Sequence, residues 1–368
     1  MCTNGMFVLP RQTPGVEIME QVTPMTEGTH PAGINTPAVT QWLLGHVRGL
    51  AAPFAFQLVA GGRSNLTFQV TDAAGRRVIL RRPPMSHVLS TAHDMGREYR
   101  IISALQATPV PVPTALAYCD DEAVNGRPFY VMDFVDGHIL RDAAQTQAAL
   151  DERTRQAAGE DLVNVLVALH QVDIDVVGLG GLARREGYIE RQLRRWHGQF
   201  QQSQQQAREA GVYQPVPLVD EVHQQLAGRV PAQRGAAIVH GDYRLDNTVL
   251  SAAGRVAGVL DWELCTLGDP LADLGTFLMY WARPATELPG FPSTAQLATR
   301  YAAGSGADLT DLGYYLAFAH WKLACIMAGV YVRYAAHAMG VGDAEDAAEL
   351  GASIQENARL AQAALRPA

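Results

Sequence analysis

The feature that most constrains the fold is the stretch AAIVHGDYRLDNTVL, Ala236–Leu250, in which two apolar runs enclose a polar segment. A strand, a turn and a second strand would account for the apolar runs. The enclosed segment, HGDYRLDN, places charge where one continuous core could have run. A surface hairpin of turn formers with local hydrogen bonds is the simple explanation. The alternative is that these polar side chains carry chemistry.

A second segment with the same character follows within a few residues. Asp242 and Asn247 are five residues apart, and Asp261 lies 14 residues after Asn247, in VAGVLDWELCTLGDPLADLG. The run VAGVLDWE predicts a strand that ends in a turn, which places Asp261 at the end of the strand. If the two segments pair as neighbouring strands, we expect these three side chains to converge.

Phosphoryl transfer from a nucleotide requires such a cluster. One carboxylate orients the attacking hydroxyl and accepts its proton, while a second carboxylate and an amide oxygen hold Mg²⁺ on the phosphates. In this interpretation Asp242 is the catalytic base, and Asn247 and Asp261 are the metal ligands. The pattern HGDxxxxN followed by Asp-Trp-Glu is specific for this chemistry, whereas an isolated Asp–Asn pair would mean little.

Hydrophobic periodicity divides the chain into three parts. Residues 1–35 are rich in Thr, Pro, Gly and Met without helical or strand period, which predicts a flexible leader. Residues 36–136 combine short strand-like runs with an amphipathic helix, and we expect an N-terminal α+β lobe that binds the nucleotide. Residues 137–368 are mostly helical in pattern and form the predicted C-terminal lobe, with the catalytic loop and the acceptor site.

Two neighbouring features of the N-terminal part are candidates for phosphate binding. In VAGGRSNLTFQV, the backbone N–H groups of Gly62, Ser64 and Asn65 can approach phosphates, although Gly-Gly is also an ordinary hairpin turn. On the next strand, VILRRPP, either Arg81 or Arg82 can reach the α- and β-phosphates. A solvent-exposed pair of arginines is the alternative.

Two further segments are candidates for nucleotide binding. Glu98 lies on the predicted helix after the arginine strand, where it can pair with the phosphate-binding cation, although a helical glutamate is usually solvated. The strand FYVMDFVDG ends in a polar turn, and its backbone from Asp133 to Val135 can hydrogen-bond an adenine edge. A plain buried strand is the alternative, and both interpretations are compatible.

The order of these motifs resembles the kinase-like phosphotransferase family that includes aminoglycoside phosphotransferases and choline kinases. The resemblance covers about residues 40–360 and is closest to the branch similar to the kinase-like domain fused to some animal acyl-CoA dehydrogenases. It rests on the stretches GGRSNLTFQV, VILRRPP, REYRII, FYVMDFVDG, YIERQLRRW, VLDWELCTLGDPLADLG and YYLAFAHWKLACIMAGVYVR.

The resemblance implies a bilobal, protein-kinase-like α+β fold, with a small β-rich N-terminal lobe and a larger, mainly helical C-terminal lobe. It also implies ATP or GTP with Mg²⁺ as cofactors, and a small-molecule hydroxyl as phosphate acceptor. Asp242 is then the base, and Asn247 and Asp261 bind the metal. Glu98 becomes the partner of the phosphate-binding cation. Arg81 stands where many relatives carry lysine, and because the two cations are not interchangeable, the geometry of its pair with Glu98 is open.

The class of acceptor is indicated by the segment GYIERQLRRWHGQF. On a helix, Arg191 and Arg195 share a face and Trp196 is adjacent, which favours an anionic acceptor such as a coenzyme A thioester. The family branch is likewise implied to phosphorylate hydroxyacyl-CoA substrates. These arginines could instead pair with Glu190 or face water. A kinase for aminoglycosides or other cationic alcohols, and a nucleotide-binding pseudokinase without transfer activity, are the rival functions.

Composition limits the partners and the compartment. With a net charge of −8, we expect no general affinity for nucleic acid or anionic membranes. The four isolated cysteines and the absence of a signal-peptide pattern at the start favour a cytoplasmic protein. A late apolar segment carries Lys322 and Arg333, and we expect a buried helix whose charges reach outward to solvent. Lining the acceptor site is the alternative for that helix. The sequence leaves the oligomeric state open.

Overall fold

The computed structural model describes residues 31–59, 65–84, 94–281, 286–335 and 344–366. Most of the expected leader, residues 1–30, lies outside the described residues, as do Gly62 and Ser64. The last residues before the first helix are packed against the protein, since Ile34 is buried.

Contacts between Cα atoms separate the chain into two compact units. The first contains the described residues between 31 and 181 together with Leu245–Cys265, and the second contains Leu182–Arg244 and the described residues from Thr266 onward. These packing units are not the lobes expected from the sequence, whose boundary near residue 136 stays a prediction. The expected α+β class is confirmed, because a small antiparallel sheet is accompanied by a larger helical part.

The first unit is built on a five-stranded antiparallel sheet in the order β1-β2-β3-β5-β4. Its strands are β1 (Ala55–Leu58), β2 (Leu66–Thr71), β3 (Arg77–Arg82), β4 (Ala115–Cys119) and β5 (Phe129–Asp133). In β2 the side chains of Phe68 and Val70 alternate with less buried neighbours, as the period of a half-buried strand requires. In β5, which lies between two partners, Phe129 through Met132 are all buried.

Helices of the first unit complete its core. They are α1 (Thr36–His46), α2 (Met95–Leu105), α3 (Glu122–Asn125), α4 (Ala143–Ala149) and α5 (Glu152–His170). Val39 and Leu43 of α1 pack with the buried residues of the sheet in one apolar cluster. Helix α2 begins at the cap formed by Asp94, whose side chain accepts a hydrogen bond from the N–H of Arg97.

A short hairpin belongs to the same unit and carries two of the predicted site residues. Strands β7 (Thr248–Leu250) and β8 (Val256–Val259) pair antiparallel. The hairpin is tied to α5 by Asp161, which accepts a hydrogen bond from the N–H of Val256 and pairs with Arg255.

The second unit is mainly helical. It contains α6 (Tyr188–Glu209), α7 (Pro217–Ala227), α8 (Pro270–Trp281), α9 (Thr294–Ser305), α10 (Leu312–Ala335) and α11 (Ala344–Ala364), with the paired strands β6 (Ala237–Val239) and β9 (Thr266–Gly268). The backbone of α8 closely approaches α10, since a Cβ on Gly275 would lie 2.6 Å from the carbonyl oxygen of Tyr315.

Helix α10 is apolar around most of its circumference. Among the described residues, α10 is the one helix that is long enough and apolar enough to cross a membrane, judged by length and composition alone. In its most apolar 18-residue segment, however, 67% is buried in the protein. Burial on several sides is what an all-round apolar helix requires inside a protein. Arg333 is exposed as expected, but Lys322 is buried, so the expectation that the charges of this helix reach solvent is wrong for Lys322.

Candidate active site

The first group of site residues is centred on Arg81, near the end of β3. Its Nε lies 3.2 Å from Oε2 of Glu98, and its Nη2 lies 2.5 Å from Oδ1 of Asp261. Arg81 and Arg82 are successive strand residues, so their side chains leave opposite faces of the sheet. Arg82 is hydrogen-bonded to the backbone carbonyls of Gly33 and Pro83. Of the two arginines considered for phosphate binding, Arg81 is therefore the one beside the acidic residues.

Arginine suits this position because its fork can bind two acceptors at once. A lysine ammonium is a single point charge, whereas the guanidinium carries donors in several directions. Burial alone would lower the pKa of Arg81, but the charges of Glu98 and Asp261 raise it above the ordinary value. The guanidinium thus remains charged, and the pair with Glu98 is formed despite the replacement of lysine.

Glu98 is nearly inaccessible to solvent, at 1% exposure. Besides Arg81, it accepts hydrogen bonds from the hydroxyl of Tyr130 at 3.0 Å and from Nδ2 of Asn65 at 3.2 Å. The pKa of Tyr130 is raised by burial and by the charge of Glu98, so the phenol keeps its proton as a donor. Each oxygen of this buried carboxylate therefore has a donor, as a buried charge requires.

Asn65, directly before β2, connects α2 to the Asp-Trp-Glu segment. Its Nδ2 lies 3.2 Å from Oε1 of Glu98 and 3.2 Å from Oε2 of Glu263. The sequence assigned the backbone of Asn65 to phosphates, whereas the structure shows its side chain bridging two carboxylates. The backbone role stays a prediction. Glu263 and Tyr130 were not among the predicted site residues.

Asn247 and Asp261 lie at adjacent ends of the β7–β8 hairpin. Thr248 pairs with Val259, and the N–H of Leu260 donates to the carbonyl oxygen of Asn247 at 2.8 Å. Of the three residues predicted to converge, Asn247 and Asp261 thus lie close together along the backbone. Asp242 belongs to the second unit, and its convergence with this pair stays a prediction.

Asp261 has an unusual backbone conformation. Its φ is +64°, and no other non-glycine residue in the described ranges has a positive φ. An aspartate tolerates this region better than most residues, but such positions are uncommon and concentrate at functional sites. The following residues Trp262–Leu264 form a 3₁₀ turn in which Nε1 of Trp262 donates to the carbonyl oxygen of Val259.

The donor set of Asn247 and Asp261 fits a magnesium ion. Carboxylate and amide oxygens are its usual protein ligands, and magnesium commonly takes only one or two carboxylates together with substrate phosphates and water. Within the described residues, no group of three or more His, Cys, Asp or Glu could hold a metal ion. Asp261 is about one-third exposed, which leaves it accessible to such an ion.

The predicted adenine-binding strand is partly engaged in the sheet. The N–H of Asp133 donates to the carbonyl oxygen of Thr114 at 2.9 Å, and its carboxylate pairs with Arg76 at 3.0 Å. The Val135 side chain lies against Gly258, where an added Cβ would be 3.4 Å away. The N–H of Asp133 is therefore engaged within the protein, and the adenine-binding role of the backbone at Asp133 and Val135 stays a prediction.

The second group of site residues is the loop that carries Asp242, directly after β6. The N–H of His240 donates to Oδ2 of Asp273 at 2.5 Å, and the N–H of Gly241 donates to Oδ1 of Asp273 at 2.8 Å. Asp273 lies in the first turn of α8 and is fully buried. Gly241 has a φ of +85°, a conformation that glycine adopts without strain.

The carboxylate of Asp242 lies in positively charged surroundings. Oδ2 of Asp242 is 3.3 Å from Nε of Arg244, and its side chain is 25% exposed. The N–H of Asp242 donates to Nδ1 of His240 at 3.3 Å, so His240 braces the loop. Nζ of Lys322 donates to the carbonyl oxygen of Gly241 at 2.8 Å. Arg244 was not among the predicted site residues, and Lys322 was considered only as part of a helix that could line the acceptor site.

The predicted acceptor residues differ in how available they are. Arg191 donates to the backbone carbonyls of Arg184 and Glu186, which commits its two terminal nitrogens to the start of α6. Arg195 is exposed, with its guanidinium carbon 4.9 Å from the ring centre of Trp196. Trp196 itself is only 5% exposed, so it forms a wall beside the cations more than an open stacking surface.

Comparison with known proteins supports a common origin for these features. Residues 55–315 match the family described as the phosphotransferase enzyme family. The chain is 32% identical over 302 residues to acyl-CoA dehydrogenase family member 11 of Gallus gallus, covering 77% of the chain and 37% of that relative. The chain therefore spans well under half the length of this curated relative.

Solved structures show the same fold. A putative aminoglycoside phosphotransferase from Ralstonia eutropha is 31% identical with a TM-score of 0.75, and the match covers 90% of this chain and 98% of that one. An amicoumacin kinase in complex with AMP-PNP, Ca²⁺ and a compound abbreviated Ami has a TM-score of 0.55 at 18% identity. That match covers 89% of this chain and 94% of the kinase.

Proposed function

Because the chain belongs to the phosphotransferase enzyme family, and is a phosphotransferase that acts on hydroxyl groups, we propose a specific reaction for it. It transfers the terminal phosphoryl group of ATP or GTP, with Mg²⁺, to a hydroxyl of an anionic metabolite such as a hydroxyacyl-CoA. The observation that carries this proposal is the position of Asp242. Its carboxylate is partly exposed, on a loop whose backbone is held by the buried Asp273.

The roles of the residues follow from their chemistry. Asp242 accepts the proton of the acceptor hydroxyl as its oxygen bonds to phosphorus and the bond to the leaving nucleoside diphosphate breaks. Asn247 and Asp261 supply oxygen ligands for Mg²⁺, which neutralises charge on the phosphates when bound. Arg81, kept charged by Glu98, supplies a fixed positive group for the phosphate oxygens.

The nucleotide and the metal are supported by analogy. The amicoumacin kinase with this fold was solved with AMP-PNP, an adenine nucleotide analogue, and a divalent cation. Nothing in the residues around Val135 or Asp133 separates adenine from guanine. The choice between ATP and GTP is therefore part of the experiment.

The anionic acceptor is supported by charge. Arg195 is exposed, with its guanidinium carbon 4.9 Å from the ring centre of Trp196, and Arg244 pairs with Asp242. A polycationic aminoglycoside would meet repulsion from these groups, whereas a phosphate- or thioester-bearing metabolite would be attracted. The relationship to acyl-CoA dehydrogenase family member 11 is consistent with a coenzyme A substrate.

The two rival functions are aminoglycoside phosphorylation and nucleotide binding without transfer. Aminoglycoside phosphorylation is favoured by the similarity to the putative aminoglycoside phosphotransferase of Ralstonia eutropha. A pseudokinase without transfer activity is disfavoured, because Asp242, Asn247 and Asp261 are all present, whereas a protein without transfer activity could lose any of them.

The test is a panel of acceptors offered with Mg-ATP and with Mg-GTP. We expect mass spectrometry to detect the phosphorylated form of a 4-hydroxyacyl-CoA, and no product with kanamycin or choline. Arg195→Gln should raise the KM for the coenzyme A substrate about 10- to 100-fold, since a charge-assisted contact is worth about 1.5–3 kcal/mol. Arg208→Gln, near the far end of the same helix, is the matched control. If kanamycin were the only compound to give a product, the proposal of an anionic acceptor would be wrong, while the phosphotransferase activity would stand.

A further inference from the structure

Lys322 is a buried cation in the middle of α10. Lys322 is only 7% exposed, and the nearby helix residues Trp321, Ala324 and Cys325 are fully buried. Placing an ammonium in such surroundings costs free energy unless partners compensate. Replacing buried charges by apolar residues is often neutral or favourable for stability. A buried lysine at this place is therefore better explained by function than by stability.

Lys322 contacts the loop of Asp242 and one aromatic side chain of α6. Nζ donates to the carbonyl oxygen of Gly241 at 2.8 Å and lies 5.6 Å from the ring centre of Trp196. In the described part of the chain, no carboxylate lies within 4.0 Å of this nitrogen as an ion-pair partner. Its single hydrogen bond thus goes to the backbone directly before the predicted base.

The hydrogen bond from Lys322 helps to fix the peptide group between Gly241 and Asp242. The carbonyl of Gly241 and the N–H of Asp242 belong to the same planar peptide unit. Lys322 binds its oxygen at 2.8 Å, and His240 accepts from its nitrogen at 3.3 Å. The preceding peptide unit is held through the N–H of Gly241 by Asp273. Both peptide planes before the Asp242 Cα are therefore fixed by side chains.

The pKa of Lys322 depends on burial and on the charged groups around it. Burial lowers its pKa below the ordinary value of 10.5, the carboxylates of Asp242 and Asp273 oppose that decrease, and Arg195 adds to it. These groups lie on the loop, on α8 and on α6, while Lys322 itself lies on α10. The two carboxylates therefore favour the protonated form of Lys322, against the effect of burial.

We propose that Lys322 is a positioning residue for phosphoryl transfer, whose ammonium holds the Gly241–Asp242 peptide so that the Asp242 carboxylate keeps its orientation toward the acceptor hydroxyl. The proposal rests on the proposed function, in which Asp242 is the base. Small displacements of a catalytic group cost activity steeply, by about 100-fold for about 1 Å. Nucleotide binding does not depend on this orientation.

The test compares Lys322→Met with Arg333→Met, an exposed position on the same helix. We expect Lys322→Met to lower kcat about 100-fold with the KM for the nucleotide within about twofold of the parent. Deuterium uptake of the peptide that contains His240–Asn247 should rise in this variant. Arg333→Met should change none of these quantities.

Two outcomes overturn the proposal. One is a Lys322→Met protein with kcat within about threefold of the parent, and the other is an equal rise of KM and fall of kcat without a change in deuterium uptake. If Lys322→Met does not fold, Lys322→Gln decides, because it keeps a donor but loses the charge. It should lose at least about tenfold in kcat, and a parental kcat contradicts the proposal.

Asp242→Asn in the same assay separates this proposal from the proposed function. If Asp242→Asn is inactive while Lys322→Met is fully active, the positioning role fails alone. If Asp242→Asn is as active as the parent, the assignment of the base fails, and the role of Lys322 fails with it.

Discussion

The guanidinium of Arg81 lies against the carboxylate of Asp261, with Nη2 2.5 Å from Oδ1. The same guanidinium reaches Glu98 through Nε, so one side chain links the middle of the sheet to α2 and to the end of β8. The cation expected to bind phosphates and the carboxylate expected to bind the metal are thus in direct contact. A lysine could not span both carboxylates in this way.

The first prediction concerns this double contact. Arg81→Met should lower the free energy of unfolding by about 3–5 kcal/mol, because the buried Glu98 loses its counter-charge. Arg81→Lys should lower it less, and should weaken nucleotide binding about 10- to 100-fold through the loss of one charge-assisted hydrogen bond. Urea unfolding and a nucleotide titration measure the two effects. If Arg81→Lys had the stability and the nucleotide affinity of the parent, the two simultaneous contacts of the guanidinium would not matter.

The second prediction concerns Asn65, which donates to both Glu98 and Glu263. Asn65→Asp has nearly the same shape but replaces the donor by a carboxylate, so three acidic groups would face one another in a buried site. We expect a loss of about 3 kcal/mol in the free energy of unfolding. Asn65→Ala removes the bridge without adding charge and should lose less. Equal losses for the two variants would show that the bridge is not electrostatic.

The third prediction concerns the close approach of α8 to α10. Gly275→Ala should destabilise the protein by about 1–3 kcal/mol, because the added methyl meets the backbone of Tyr315 and one of the helices must shift. Gly329→Ala is the matched control on α10, since its new methyl would meet only Oγ of Ser203 at 3.4 Å. A thermal melt of both variants checks this. A stabilised Gly275→Ala would mean that the two helices are not in close contact.

The fourth prediction concerns pH. The pKa of Lys322 in the folded protein lies below its ordinary value of 10.5, so between these two values the unfolded chain binds more protons than the folded protein. The contribution of Lys322 to the free energy of unfolding therefore rises with pH in that window. The parent minus Lys322→Met difference, measured by urea unfolding at several alkaline pH values, should increase with pH. A flat or falling difference would mean that the ammonium is not buried at a cost.

The loop of Asp242 and the end of β8 could be predicted from the sequence because the signal is local. Polar residues at fixed spacing between apolar runs indicate a turn at the end of a strand. The roles assigned to Asn247 and Asp261 depend on one short hairpin, β7–β8, whose pairing follows from the same pattern.

The remaining site residues depend on contacts between distant segments. Arg81 and Arg82 are equivalent in sequence, and the way β3 faces α2 decides which one meets Glu98. Lys322 lies 81 residues from Gly241, on a helix where a lysine that reaches solvent would have the same sequence context.

Asn65 and Glu263 are 198 residues apart, and nothing local to either residue indicates the other. Such partners appear only when packing places them together.

The most direct test of the account is the turnover of Asp242→Asn with Mg²⁺-nucleotide and a hydroxyacyl-CoA. The substitution keeps the shape of the side chain and removes its ability to accept the hydroxyl proton. We predict that kcat falls about 100- to 10,000-fold while the dissociation constant of the nucleotide stays within about twofold. A kcat within tenfold of the parent would show that Asp242 is not the base, and would contradict the assignment from which the rest of the mechanism follows.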